Sequence, residues 1–277
     1  MIVDFHIHPV PSEAHIPESF RDFVEKQKQD FTDLRENYGE PAQLLELMDQ
    51  AGVDYSVVIA EVAPITSALV TNEEVREFCR LSPRLLPFAS INPYMTTDSP
   101  AVLERLVCQQ GFRGLKMYPT YQYFYPNDPL VYPLYARAQE LQIPIMFHTG
   151  SSLFKGSRLK YGDPIFFDDV AVDFPKLAIV MCHGGRPFWY HKAAFLARLH
   201  ENVYVEISGL PPKRLLSYFP ELERISTKVL FGSDWYGVKG IKENIEEIRK
   251  LPINDDAKEL ILGANAARLL KLPAGEF

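Results

Sequence analysis

Eight short apolar runs, separated by segments with helical punctuation, set the strongest limit on what this chain can fold into. They read IVDFHIH (2–8), YSVVIA (55–60), LLPFASI (85–91), FRGLKMY (112–118), IPIMFHT (143–149), LAIVMCH (177–183), VYVEIS (203–208) and KVLFGSD (228–234). Strands that are apolar throughout must be covered on both faces, which a parallel sheet with helical crossovers achieves. The intervening helices carry start and stop signals. Thr71 with Glu74 forms a capping box, and Asp98-Ser99-Pro100 and Asp128-Pro129 each set a cap residue near a Pro at the first helical position; Gly52 and Gly111 follow apolar stripes as left-handed stops. Eight βα units in 277 residues match an α/β fold of the closed (β/α)₈ TIM-barrel type, for which about 250 residues is typical. A doubly wound open sheet is the alternative, but the chain lacks the GxGxxG or Walker loop such a sheet often carries. No repeat, low-complexity tract or linker divides the chain, so a single domain over 1–277 is expected. The long stretch 11–40 after the first strand is expected to form a helical lid over the barrel mouth.

Composition narrows the function classes. A net charge of -7 argues against a duplex-binding surface, which needs clustered Lys and Arg, so no nucleic-acid partner is expected. Cys79, Cys108 and Cys182 are scattered without CxxC spacing, as buried thiols in a reducing compartment are. No basic leader precedes the first strand and no apolar run approaches the roughly 18 residues that span a bilayer. The expectation is a cytoplasmic protein without a membrane partner; its apolar-rich loops allow a homodimer.

In a closed parallel barrel the catalytic groups gather at the C-terminal strand ends. There the first run carries His6 and His8, the fourth Lys116, the fifth His148, the sixth His183, the seventh Glu206 or Ser208, and the eighth Asp234. Residues i and i+2 of a strand share a face, so His6 and His8 can point at one place. His148 and Asp234 would complete a nitrogen and oxygen ligand set that suits one Zn²⁺ and also accepts Mn²⁺ or Fe²⁺. A lone strand histidine is more often a hydrogen-bonded core residue, but four histidines and an aspartate at four strand ends are costly to bury without a purpose. Asp4, one step deeper, either fixes the tautomer of a ligand imidazole or caps a backbone turn. Lys116 reads as a substrate contact or as a lysine snorkelling to water. The aromatic loop YPTYQYFYPNDP, with Tyr118, the cationic loop carrying Lys155, Arg158 and Lys160, and Arg186 with Trp189 past His183 are the candidates for holding a carboxylate-bearing, ring-like small molecule.

The stretches DFHIHP, GLKMYPT, FHTGSS, CHGGRPFWY, FGSDW and GANAARLL resemble, nearly end to end, the amidohydrolase superfamily and its amidohydrolase-2 branch, which includes aminocarboxymuconate-semialdehyde decarboxylase. The resemblance implies one metal at the barrel mouth on His6, His8, His148 and Asp234. It also implies Asp234 as ligand and proton acceptor, with His183 as a second acid/base beside the activated water. In other branches a carbamylated strand-four lysine bridges two metals, and Lys116 with His183 would supply that second site as the minor alternative. A deoxyribonuclease-like branch looks for Glu where Lys116 stands. The expected activity is metal-dependent hydrolysis of a small carboxylated amide, lactone or ester. The alternatives are non-oxidative decarboxylation of an aromatic or muconate-like acid and, from another class, a non-catalytic metal-stabilised binding protein.

Overall fold

The computed structural model describes residues 1–26, 31–237 and 240–273. Each of the eight runs forms a strand: β1 (Val3–Ile7), β2 (Tyr55–Ile59), β3 (Leu85–Ser90), β4 (Gly114–Met117), β5 (Ile145–Gly150), β6 (Ile179–Arg186), β7 (Val203–Glu206) and β8 (Val229–Leu230). Neighbours pair in parallel in chain order from β1 to β8. The ring closes between its first and last members. The N–H of Phe5 donates to the Phe231 carbonyl (2.9 Å), that of Asp234 to the His6 carbonyl (3.0 Å) and that of His8 to the Trp235 carbonyl (2.7 Å). The architecture is therefore the expected (β/α)₈ barrel, with one unexpected addition, an antiparallel pair Glu61–Val62 and Leu69–Val70 inserted after β2.

Two apolar layers hold the barrel. Strand residues including Phe5, Ile59, Phe88, Met146, Val180 and Leu230 fill its interior, and Ala266 and Leu270 pack against that cluster. Phe88 occupies the space that Gly114 leaves, since a Cβ on Gly114 would run into the ring. A larger cluster fastens the helices to the outer strand faces. The GANAAR segment contributes Asn265, fully buried, whose Nδ2 donates to the carbonyls of Ser226 (2.6 Å) and Val229 (2.8 Å) and so fixes the start of β8.

The helix signals behave mostly as expected. Thr71 and Glu74 form their reciprocal cap, the Asp98 side chain accepts from Ala101, and Gly52 (φ 69°) and Gly111 (φ 80°) end their helices left-handed. Asp128 is a correction. Its carboxylate accepts from the Leu130 N–H (2.9 Å) and closes a separate turn, while the helix starts later, at Tyr132 with Pro133 in its first turn. Within 11–40 lie helices Glu18–Lys26 and Phe31–Tyr38; residues 27–30 of that stretch fall outside the described residues. Cys79 and Cys182 are buried, but Cys108 is exposed on helix Ser99–Gln110. No helix among the described residues is long and apolar enough to cross a membrane.

A bulge in β1 changes the expected facing of its side chains. Asp4 pairs with Ser56 and Ile7 with Val58, so Phe5 and His6 together oppose the single residue Val57. Phe5 thereby joins the interior cluster and Asp4 no longer shares a face with His6 and His8. Among the described residues Asp4 makes no hydrogen bond to an imidazole; its Oδ1 accepts from the N–H groups of His6 (3.1 Å) and Ser233 (2.9 Å), which makes it a backbone cap across the seam. Its Oδ2 has no hydrogen-bond partner among the described residues, and burial raises its pKa from 3.8 to about 7 against the opposing pull of those donors. A carboxyl with a raised folded pKa holds its proton more tightly folded than unfolded. Its contribution is intact below about pH 4 and is lost as pH climbs to about 7. Asp4→Asn keeps the accepting oxygen and cannot ionise, so urea denaturation should show the variant gaining on wild type between pH 5 and pH 8. A stability difference that does not change with pH would rule this out.

Candidate active site

The strand ends carry a compact set of donor atoms. His6 Nε2 and His8 Nε2 are 3.2 Å apart, and Asp234 Oδ1 lies 3.5 Å from the first and 3.6 Å from the second. Behind them stand acceptors. His6 Nδ1 is 3.0 Å from Glu206 Oε2, His8 Nδ1 is 3.4 Å from Glu61 Oε2, and His183 Nδ1 is 3.0 Å from the Ser208 carbonyl. A ring nitrogen facing a carboxylate or carbonyl carries the proton, which leaves Nε2 with a bare lone pair. Two bare lone pairs and a carboxylate oxygen at these separations repel one another unless a cation lies among them. Ligands about 2.1 Å from one tetrahedral Zn²⁺ stand roughly 3.4 Å apart, so the donor atoms present fit a divalent ion. His183 also reaches this group, placing a donor atom within 4.8 Å of donors from His6 and Asp234.

A proton also satisfies this trio. Burial opposes a charge on His8, yet hydrogen bonds from its ring to Asp234 and Glu61 raise its pKa to about 9, so its Nε2 carries a proton that a bound divalent ion would displace. In His6, His148 and His183 burial prevails and holds the pKa well below the usual histidine value, leaving neutral rings with lone pairs. Burial works against the Asp234 charge too, but His183 and the hydrogen bond with His8 hold it well below the usual carboxylate range.

Backbone geometry brings these groups in. His183 (φ 61°) and Asp234 (φ 64°) are both left-handed, a conformation that costs a non-glycine residue free energy and recurs at functional sites. Gly209 lets Arg186 and Asp234 approach, because a Cβ there would sit 2.6 Å from Arg186 Nη1 and from Asp234 Oδ2. Gly232, in FGSD, has a similar role: its Cβ would strike Glu206 Oε1 and come within 2.8 Å of His6 Cβ.

A cavity of about 310 Å³ opens over this set. Tyr118, Tyr121 and Phe154 form walls, and Phe20 and Phe23 of helix Glu18–Lys26 border it as well. Lys116 and Arg186 line it too. Lys116 is fully buried, with its Nζ 3.0 Å from the Cys182 thiol, and Arg186 donates to the Gly209 carbonyl at 3.0 Å. Neither cation forms an ion pair among the described residues.

The structure thus brings together His6, His8, His183 and Asp234, with Lys116, Tyr118 and Arg186 facing the same space. His148 is adjacent, its ring centroid 4.8 Å from that of His183, but its Nε2 is engaged by the Ser151 carbonyl (3.1 Å) and lies 3.4 Å from the Tyr121 hydroxyl. Two expected substrate contacts lie outside the cavity lining. Arg158 is stacked over the Tyr123 ring (4.8 Å), and Trp189 sits at the start of helix Tyr190–Leu199 with Lys192 over its ring (5.9 Å). Glu61 escaped the reading of strand ends, although it follows the run YSVVIA directly. Glu206 and Ser208, at the end of the seventh run, are both fully buried against His6.

A family model described as amidohydrolase matches residues 3–272. Gamma-resorcylate decarboxylase of Rhodococcus jostii is 24% identical over 324 aligned positions, covering 94% of this chain and 94% of that protein. A 2-keto-4-carboxy-3-hexenedioate hydratase from a Sphingobium species is 27% identical over 212 positions, covering 62% of this chain and 61% of that protein. Among solved structures, a TIM-barrel protein from Bordetella bronchiseptica superposes with a TM-score of 0.79 at 24% identity, covering 98% of each chain.

If Glu206 fixes the His6 tautomer, Glu206→Gln should weaken Zn²⁺ or Mn²⁺ affinity about 10–100-fold in calorimetric titrations of metal-stripped protein. Gly232→Ala, which displaces the same carboxylate, should match it. Wild-type affinity in both variants would remove Glu206 from the site.

Proposed function

The chain belongs to the amidohydrolase family, and on that footing we propose that it is a metal-dependent lyase releasing carbon dioxide from a small, flat, hydroxylated carboxylic acid. One observation carries this reading: a single cavity of about 310 Å³ combines a cation-seeking trio of donor atoms, two cations without carboxylate partners and aromatic walls. His6, His8 and Asp234, with His148 as a fourth donor once its Nε2 leaves the Ser151 carbonyl, would hold one divalent ion, Zn²⁺ by its ligand types, with Mn²⁺ or Fe²⁺ accepted. Such an ion supplies a Lewis acid that polarises an oxygen of the acid.

The protein's own groups account for the remaining steps. Lys116 offers a desolvated ammonium to the substrate carboxylate and Arg186 a planar fork. Tyr118 and Tyr121, stacked at 5.7 Å and 18°, and Phe154 give a flat molecule apolar faces. Ionised Asp234 takes the proton of the hydroxyl next to the carboxylate and returns it to the carbon that bears the carboxylate, so that the neighbouring C–O becomes a carbonyl. The C–C bond then breaks, carbon dioxide leaves, and the bonding pair settles on that carbonyl oxygen, which regains a proton from water. Neutral His183, its Nδ1 3.9 Å from Asp234 Oδ2, orients and relays for that carboxylate. Helix Glu18–Lys26 serves as a lid that excludes water: Phe20 stacks on Phe154 (6.0 Å, 12°), Phe23 lies 5.0 Å from it, and Asp22 pairs with Lys155.

A second reading, addition of water or hydrolysis of a carboxylated amide, lactone or ester, uses the same groups. It is supported by the His183–Asp234 pair, which is as well placed to draw a proton from water as from a hydroxyl. Incubating metal-loaded protein with gamma-resorcylate, other ortho-hydroxy acids, unsaturated diacids, lactones and amides, while following carbon dioxide, separates the two. Stoichiometric carbon dioxide is expected from an ortho-hydroxy acid, and Asp234→Asn should slow its release by about 10²–10⁴-fold. Consumption of a substrate without carbon dioxide would replace the lyase reading with the second.

A further inference from the structure

Ser208 follows β7, two residues past Glu206, and is fully buried. Its hydroxyl oxygen lies 3.0 Å from His6 Nδ1, 3.0 Å from His183 Nδ1 and 2.8 Å from Glu206 Oε2. Its N–H donates to the other oxygen of the same carboxylate at 2.6 Å. A local turn in which Ser208 caps Glu206 accounts for the two carboxylate contacts. It does not account for a hydroxyl equally close to two imidazoles that arrive on β1 and β6.

With Glu206 as a carboxylate, one assignment of protons satisfies every member of this group. His183 Nδ1 also faces the Ser208 carbonyl at 3.0 Å, which can only accept, so this nitrogen carries the proton and donates. The Ser208 hydroxyl has a single proton, which goes either to His6 or to Glu206. Sent to His6, it would leave a bare Nδ1 lone pair 3.0 Å from Glu206 Oε2. Sent to Glu206, it lets the His6 Nδ1–H donate, and both carboxylate oxygens are matched. The two lone pairs of the hydroxyl oxygen then face the two Nδ1–H groups.

We infer that Ser208 is a positioning residue: its one hydroxyl holds His6 and His183 in the same tautomer, protonated at Nδ1, and so keeps the Nε2 lone pairs of a metal donor and of the neighbouring acid/base imidazole bare together. The inference rests on the metal-dependent reading of the cavity and not on which substrate it consumes. Glu206 belongs to the same unit, because the hydroxyl and the N–H of Ser208 hold its two oxygens. Supports of this kind orient a ligand imidazole before the ion arrives, and their loss typically costs about 10–100-fold in metal affinity.

Ser208→Ala removes the hydroxyl and leaves the N–H bond to Glu206 in place. In metal-free protein the Nδ1–H groups of His6 and His183 should give downfield, solvent-protected proton NMR signals, assigned by their loss in His6→Gln and His183→Gln. Both signals should shift in Ser208→Ala, because one oxygen serves both rings. A shift of one signal only, or of neither, overturns the inference, as do wild-type rings without a protected Nδ1–H. Calorimetric titration of metal-stripped protein should show Zn²⁺ affinity about tenfold lower in Ser208→Ala. The double variant Ser208→Ala, Glu206→Gln should bind within about twofold of Glu206→Gln, because the two residues act together. Wild-type affinity in Ser208→Ala, or losses that multiply in the double variant, overturns the inference. If wild-type protein binds neither Zn²⁺ nor Mn²⁺, the metal-dependent reading fails by itself, and the two proton signals alone decide the role of Ser208.

Discussion

The backbone hydrogen bonds that join β1 to the segment following β8 close the barrel and bring the reactive groups together at once. The His6 carbonyl receives the Asp234 N–H, the His8 N–H reaches the Trp235 carbonyl, and the Asp4 carboxyl ties the His6 and Ser233 N–H groups from one side. His6, His8 and Asp234 come from opposite ends of the sequence, so only this ladder holds their donor atoms within 3.2–3.6 Å. Contacts of such sequence separation carry the full entropy of closing the chain. Burial helps to offset it: Asn265 secures β8 from outside the ladder, and Phe5 packs edge-on against Phe88 (5.7 Å, 79°) inside the ring. Loss of the seam would separate the donor atoms before it emptied the core.

What could be read from the sequence followed from how local each signal is. Strand position depends on short apolar runs, and all eight are present; polar residues at the ends of such runs face the barrel mouth, which made His6, His8, His183 and Asp234 legible as a group. Signals that depend on register were not. The bulge that sets Phe5 and His6 against Val57 needs the partner strand to be seen, so alternation along β1 does not give the face of Asp4, and Glu206 can be identified as the support of His6 only once β7 and β1 flank β8 in the closed ring. Loop side chains were the least legible. Arg158 finds its partner in the Tyr123 ring, on the loop after β4, rather than in a ligand. Glu61 belongs to a short hairpin whose two-residue strands leave almost no periodic trace.

The charges around the site divide by position. Acidic groups lie behind or among the imidazoles: Glu206 and Glu61 face Nδ1 atoms and Asp234 faces the Nε2 pair, so their charge is spent on tautomer and orientation. Burial raises Glu206 to about 7, with Lys116 pulling it back, so the carboxylate behind His6 is itself held close to neutrality. The cations Lys116 and Arg186 line the cavity without a carboxylate pair among the described residues, Lys116 with its Nζ against the Cys182 thiol and Arg186 donating to the Gly209 carbonyl. The cavity wall therefore sets Lys116 and Arg186 against the carboxylates of Glu61 and Asp234, and a divalent ion would tip its charge positive in a protein of net charge -7.

That arrangement works against the fold. A fully buried lysine against a thiol and two left-handed non-glycine residues would each be more stable replaced by something blander. Strain survives only where the surrounding structure over-determines it, and here it meets at one rim above a barrel interior packed with apolar strand residues. His183 and Asp234 show it most clearly. Their backbone conformations lie outside what their residue types prefer, and both side chains turn toward the same few ångströms of space beside His6. A packing role would not require that convergence, since apolar residues in ordinary conformations fill a barrel mouth at lower cost. A reaction that needs a base, an ion and an anion-binding wall in contact does require it.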